Sequence, residues 1–143
     1  MRFFWILAAA LALGAPTHLT AQPPGRAPVC RGALDGDRLT TTIEFPNGYV
    51  VEGPWRISRR RPVALEDGAS GIAMNASLDR IVEVQPGTGE RVTTPFPEPI
   101  ETTFDGQNEQ ALVQRAAQIW CLTVLRAQQN QQRDEARQRR PGD

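Results

Sequence analysis

Alternation of apolar and polar residues is clearest in TTTIEFPNGYVVEG, residues 40–53. With Pro46-Asn47-Gly48 as a three-residue hairpin loop, proline takes a position that wants φ near −65° and glycine takes the left-handed one. Phe45 then opposes Tyr49, Glu44 opposes Val50, and Ile43 opposes Val51. Ile43, Phe45, Tyr49 and Val51 share one face, while Thr42, Glu44, Val50 and Glu52 share the other. A two-residue loop would mix the faces, so the period-two pattern selects the register. The same parity carries Trp55 and Ile57 onto the apolar face. Gly53-Pro54 marks a bend or bulge, because proline cannot donate to a ladder.

Further along, IAMNASL (72–78) alternates apolar residues at 72, 74, 76 and 78 and reads as a strand. RIVEVQPGTGERVTT (80–94) reads as a second hairpin closed by Gly87-Thr88-Gly89. That loop opposes Val84 to Val92 and Val82 to Thr94, leaving Glu83, Gln85, Arg91 and Thr93 on the wet face. TPFPEPI, with Pro95, Pro97 and Pro99, is expected to be an extended connector that packs Phe96 and Ile100 on the core. The helical spacing of Leu112, Val113, Ala116, Ile119, Trp120 and Val124 predicts one long amphipathic helix, with Asp105 as its N-cap. These elements predict an α+β fold: an antiparallel sheet of about five strands, including two hairpins, packed against one C-terminal helix.

The ends of the chain have a different texture. Met1-Arg2 followed by the apolar run Phe3–Ala15 is too short to span a bilayer, which takes about 20 residues, and resembles the core of a secretory signal peptide. Cleavage is expected near Ala21, so residues 1–21 form the signal peptide. Residues 22–29 are a Pro-rich extended leader, residues 30–128 a single domain, and residues 129–143 a polar, disordered tail. Export makes the protein periplasmic or secreted, with no transmembrane segment in the mature chain. It also changes the reading of Cys30 and Cys121, the only two cysteines: in an oxidising compartment they are expected to form one disulfide.

Composition narrows the chemistry. All 16 basic side chains are arginine, balanced by 16 acids. That balance does not fit a nucleic-acid binder, whose domain is usually basic. The one histidine, His18, falls inside the signal peptide. The mature chain would therefore have neither histidine nor lysine. Histidine-based triads, histidine zinc sites, lysine Schiff bases and P-loops are excluded with them. Asp35-Gly36-Asp37 supplies too few oxygens for calcium and reads as a turn. No cofactor is expected.

Two groups of charged residues remain. Arg56, Arg59, Arg60 and Arg61 in GPWRISRRRP are the candidate surface for an anionic partner, since arginine suits bidentate contact with carboxylate or phosphate. The parity of Trp55 and Ile57 predicts that the strand ends near Ser58, leaving Arg60, Arg61 and Pro62 to protect its exposed end. Glu44, Glu52 and Glu83 on wet strand faces are the candidates for paired-carboxylate chemistry, but no pattern sets any two of them in an apolar pocket. The expected function is thus a small exported, non-enzymatic binding module whose partner is an anionic glycan, a lipid headgroup or an acidic protein. An inhibitor of an exported hydrolase, inserting the tips 46–48 or 87–89, is the alternative. A carboxylate-dependent glycan-acting enzyme is the second.

Overall fold

The computed structural model describes residues 26–140. The predicted signal peptide, its cut near Ala21, His18 and the first half of the Pro-rich leader (residues 22–25) lie outside the described residues. Within them the chain forms five strands, β1 (Val29–Asp35), β2 (Arg38–Glu44), β3 (Val50–Ala64), β4 (Ser70–Val84) and β5 (Arg91–Gly106), then one helix, α1 (Glu109–Gln138). The strands make one antiparallel sheet in the order β1-β2-β3-β4-β5. The predicted α+β architecture is therefore the observed one. Every connection is a hairpin between neighbours, and α1 returns across one face.

The first predicted hairpin has the register read from its alternation. Ile43 faces Val51 and Glu44 faces Val50, and Phe45 N–H donates to Tyr49 O at 2.8 Å. Gly48 sits at φ 90°, the left-handed position assigned to it. The apolar face of this hairpin meets α1. Leu39, Ile43, Val51, Met74, Leu78 and Ile81 are fully or almost fully buried there, with Leu112, Ala116 and Val124 from the helix. Trp120 reaches the sheet over Gly53, where an added Cβ would lie 3.1 Å from the indole ring and 2.9 Å from Thr41 Oγ1. Only glycine leaves that seat open. Trp120 Nε1–H donates to Val51 O at 3.2 Å, and Trp55 Nε1–H donates to the buried Thr41 hydroxyl at 2.9 Å. Both indole N–H groups and the Thr41 hydroxyl are thereby matched, as their desolvation requires.

The predicted disulfide is present. Cys30, opposite Ile43 on β2, is bonded to Cys121 on α1 with the Cα atoms 6.1 Å apart. It clamps the edge strand β1 to the middle of the helix.

Several boundaries differ from expectation. The strand through Trp55 and Ile57 does not end near Ser58 but continues to Ala64, because β3 and β4 pair over their full length. The helix is capped by Asn108, not Asp105; the Asn108 carboxamide oxygen accepts from Ala111 N–H at 2.9 Å. Asp105 is still in β5, paired with Ala73, and its carboxylate meets Arg115 at 2.7 Å. Residues 129–138, expected to be a disordered tail, are helical. Gln, Arg, Glu and Ala are good helix formers, and Gln131 Nε2–H donates to Glu135 Oε1 at 3.0 Å, one turn on. TPFPEPI is not a separate connector but the middle of β5. The ladder jumps there, with Pro95 opposite Arg80 and Ile100 opposite Leu78.

Candidate functional site

Two β-bulges decide which way the charged residues of this sheet point. The first lies on β3: Ile57 faces Ala76 and Arg59 faces Asn75, so Ser58 is an extra residue without a partner. A bulge of this kind re-aims every side chain after it. Before it, Trp55 and Ile57 face the helix and Arg56 faces water. After it, Arg59 and Arg61 pair with Asn75 and Ala73 on the outer face, and Arg60 pairs with Met74 on the helix side.

The arginine run is consequently split. Arg60 Nη1 lies 2.8 Å from Glu109 Oε1 in the first turn of α1, and Arg60 Nη2–H donates to Gly36 O in the β1–β2 turn. It joins three elements at one end of the domain and lines a hollow of about 470 Å³ there. Arg56, Arg59 and Arg61 are exposed on the opposite face and form no ion pair among the described residues. Arg38, a residue that the sequence did not single out, joins them: it stands directly across from Arg56. Like charges facing each other across a ladder are unfavourable, and this pair has no bridging carboxylate within ion-pair distance.

The second bulge lies on β4, seen against β3: Trp55 pairs with Leu78 and Glu52 with Val82, so Asp79, Arg80 and Ile81 stand opposite only Gly53 and Pro54. On its other side β5 is irregular at the same level, with Leu78 opposite Ile100 and Arg80 opposite Pro95. Upstream of it the even-numbered residues Met74, Ala76 and Leu78 face the helix; downstream the odd-numbered Ile81 and Glu83 do, at 0% and 2% exposure. The hairpin that follows is also one residue out of the expected register. Val84 faces Arg91 and Val82 faces Thr93, around a four-residue loop, Pro86–Gly89, closed by Gln85 N–H on Glu90 O at 2.8 Å. Glu83 is thus not on the wet face with Glu44 and Glu52; it lies opposite Val51 inside the sheet.

A carboxyl group in this position cannot keep its ordinary acidity. Burial pushes the Glu83 pKa up to about 7, and the neighbouring Tyr49 hydroxyl offsets only part of the rise. Among the described residues, neither Glu83 Oε1 nor the Tyr49 hydroxyl has a hydrogen-bond partner. Burial, and then the Glu83 charge, push the Tyr49 phenol above its normal range. The paired-carboxylate arrangement is not assembled: Glu52 faces outward, held by Arg91 at 2.6 Å, with the whole thickness of the sheet between it and Glu83. Among the described residues no cluster of three or more His, Cys, Asp or Glu side chains could hold a metal ion. No described helix is long and apolar enough to cross a membrane.

Comparison with protein-family models, with curated proteins and with solved structures gives no match. The chemistry must therefore be read from the surfaces themselves.

The two tips expected to matter for an inhibitor do stand together, since a Cβ added to Gly48 would come within 3.7 Å of Pro86 Cβ. Trp120, expected in the core, is 3% exposed, whereas Ile119 is 42% exposed and faces a groove beside β5. On the outer face the Asn75 side-chain amide oxygen accepts from the Thr103 hydroxyl at 3.1 Å. One signal for the β4 bulge was present in the sequence. The apolar spacing is two from Ile72 to Leu78 and then three from Leu78 to Ile81, across Asp79-Arg80.

Proposed function

We propose that the protein is a small exported, non-enzymatic binding module, periplasmic or secreted, that engages an anionic glycan through the outer face of β2 and β3. The observation that carries this reading is the row Arg38, Arg56, Arg59 and Arg61. All four are exposed on one face and unpaired among the described residues, while Arg60 from the same run is taken up structurally. Four guanidinium forks on a flat strand surface suit a run of sulfate or carboxylate groups. The Cys30–Cys121 bond supports export, because disulfides persist in oxidising compartments.

Salt-graded elution from a heparin column tests the reading. The parent protein should be retained and elute with rising salt. Replacing Arg56, Arg59 and Arg61 together by Gln should move elution to markedly lower salt, and Arg60→Gln should leave it in place. Equal elution of the parent and the triple variant would refute the glycan reading. A parallel arm with anionic phospholipid vesicles distinguishes a lipid surface from a glycan.

A second reading, an inhibitor of an exported hydrolase, has one observation in its favour: the tips 46–48 and 86–89 stand side by side as a double wedge. Blunting both tips would abolish inhibition and leave heparin elution unchanged.

A further inference from the structure

The helix meets the end of β5, where Arg115 reaches Asp105 and Leu112 packs on Gly106, but leaves an opening beside Ile100, Thr102 and Phe104. A groove of about 440 Å³ runs there between helix and sheet, within the 300–1,000 Å³ usual for small-molecule sites. Its floor is aromatic. Trp55 stands edge-on to both Phe104 and Trp120, with ring centroids 5.2 and 6.2 Å apart. Both indole N–H groups are already committed elsewhere, to Thr41 and to the Val51 carbonyl, so the rings offer the groove only carbon. Ile100 on β5 and Ile119 on α1 form opposite rims and are 45% and 42% exposed. Paired large apolar residues bordering a concave surface mark a binding site more often than a bare surface does.

The groove also changes character along its length. The helix row that lines it runs Ile119, Thr123, Arg126, Asn130, so it is apolar at the start and cationic further on. Arg126 is exposed and forms no ion pair or side-chain hydrogen bond among the described residues. The Thr123 hydroxyl is turned back onto the Ile119 carbonyl at 2.8 Å, which leaves Arg126 as the charged group with free donors at that wall. An occupant complementary to this surface has a flexible apolar chain at one end and an anionic, fork-accepting group at the other.

We propose that this groove binds a single-chain carboxylate amphiphile. The alkyl chain lies on Trp55 and Trp120 between Ile100 and Ile119, and the carboxylate is held by Arg126. The site is on the opposite face of the sheet from the outer arginines, so it is independent of the glycan reading.

Tryptophan fluorescence, followed while dodecanoate is titrated into the purified protein, tests the site directly. A saturable change at one equivalent is expected, because two tryptophans form the floor. Arg126→Gln should weaken dodecanoate about tenfold, the scale of one lost charge-assisted hydrogen bond, and leave binding of 1-dodecanol unchanged. Ile119→Glu, on an exposed rim where the fold tolerates it, should abolish binding of both with an unaltered melting curve. The triple Gln variant of Arg56, Arg59 and Arg61 should bind dodecanoate as the parent does. Absence of a saturable change overturns the proposal, as does equal dodecanoate affinity in Arg126→Gln. So does a dimer in sedimentation that Ile119→Glu splits, since the groove would then be covered by a second copy.

Discussion

The β2–β3 and β4–β5 hairpins look alike in sequence, each a stretch of alternating residues around a proline- and glycine-containing loop. They differ in what they turn toward the helix. The first presents Ile43, Phe45, Tyr49 and Val51, with Phe45 and Tyr49 stacked at 5.7 Å. The second presents Ile81 and the carboxyl group of Glu83, and places Val82 and Val84 on the opposite face, where Val82 is still buried. Alternation fixes which residues share a face, but not which face meets the core. That choice is inherited from everything upstream in the strand, and one extra residue reverses it.

The largest expected effect concerns the side of the sheet that the disulfide holds. Cys30 lies opposite Ile43, so the clamp supports the first hairpin and has no counterpart beside the second. Replacing both cysteines by serine reopens a 91-residue separation. It should lower stability in urea unfolding by about 4–5 kcal/mol, the chain-entropy value for a loop of that size. Next in size is a direct test of parity on the second hairpin. Ile81→Ala should cost about 2–5 kcal/mol, as for other large-to-small core changes, whereas Val84→Ala should stay within about 1 kcal/mol. A reversed ranking would restore the unbulged register.

Glu83 gives the third contrast, with a definite sign. Its folded pKa is about 7 and the ordinary value is 4.5, so between those limits the folded state binds more protons than the unfolded state. Stability is therefore full below pH 4.5, falls as pH rises through 7, and is flat above it. The loss amounts to about 3 kcal/mol at one pKa unit per 1.36 kcal/mol. Glu83→Gln should match the parent at pH 4.5 and exceed its stability by about that amount at pH 8. The corresponding change on the first hairpin, Glu44→Gln, should alter stability by no more than about 0.5 kcal/mol in urea unfolding, because Glu44 is exposed. The smallest contrast is within the arginine run. Arg60→Gln breaks a half-exposed ion pair and should cost about 0.5–1 kcal/mol, while Arg59→Gln should be neutral in thermal unfolding.

The sequence was most informative where several signals agreed. At residues 43–51 the loop chemistry, the alternation and the side-chain sizes all pointed to one register, and the helix stripe from Leu112 to Val124 was equally consistent. The cysteines were legible once an oxidising compartment was inferred. The candidate site was legible only in part. The unpaired Ser58 redirects Arg60 inward and leaves Arg59 and Arg61 outside, and no residue type in SRRRP distinguishes these outcomes. Arg38 enters the outer row through a cross-strand pairing, which is not a local property. The groove beside β5 arises where α1 and the irregular middle of β5 fail to meet, a relation between residues of two elements, such as Ile100 and Ile119, and not a local property. For Glu83, the three-residue step from Leu78 to Ile81 was visible, but the second hairpin taken alone gave a self-consistent and wrong parity.

Both bulges act by the same means, and Glu83 reports on it without involving any partner. Side-chain carboxyl chemical shifts, followed by NMR through a pH titration of the intact disulfide-bonded protein, would test this most directly. A midpoint near 7 for Glu83 is the result expected of a carboxyl group turned into the core. A Glu83 midpoint near 4.5 would place it in water and contradict the account.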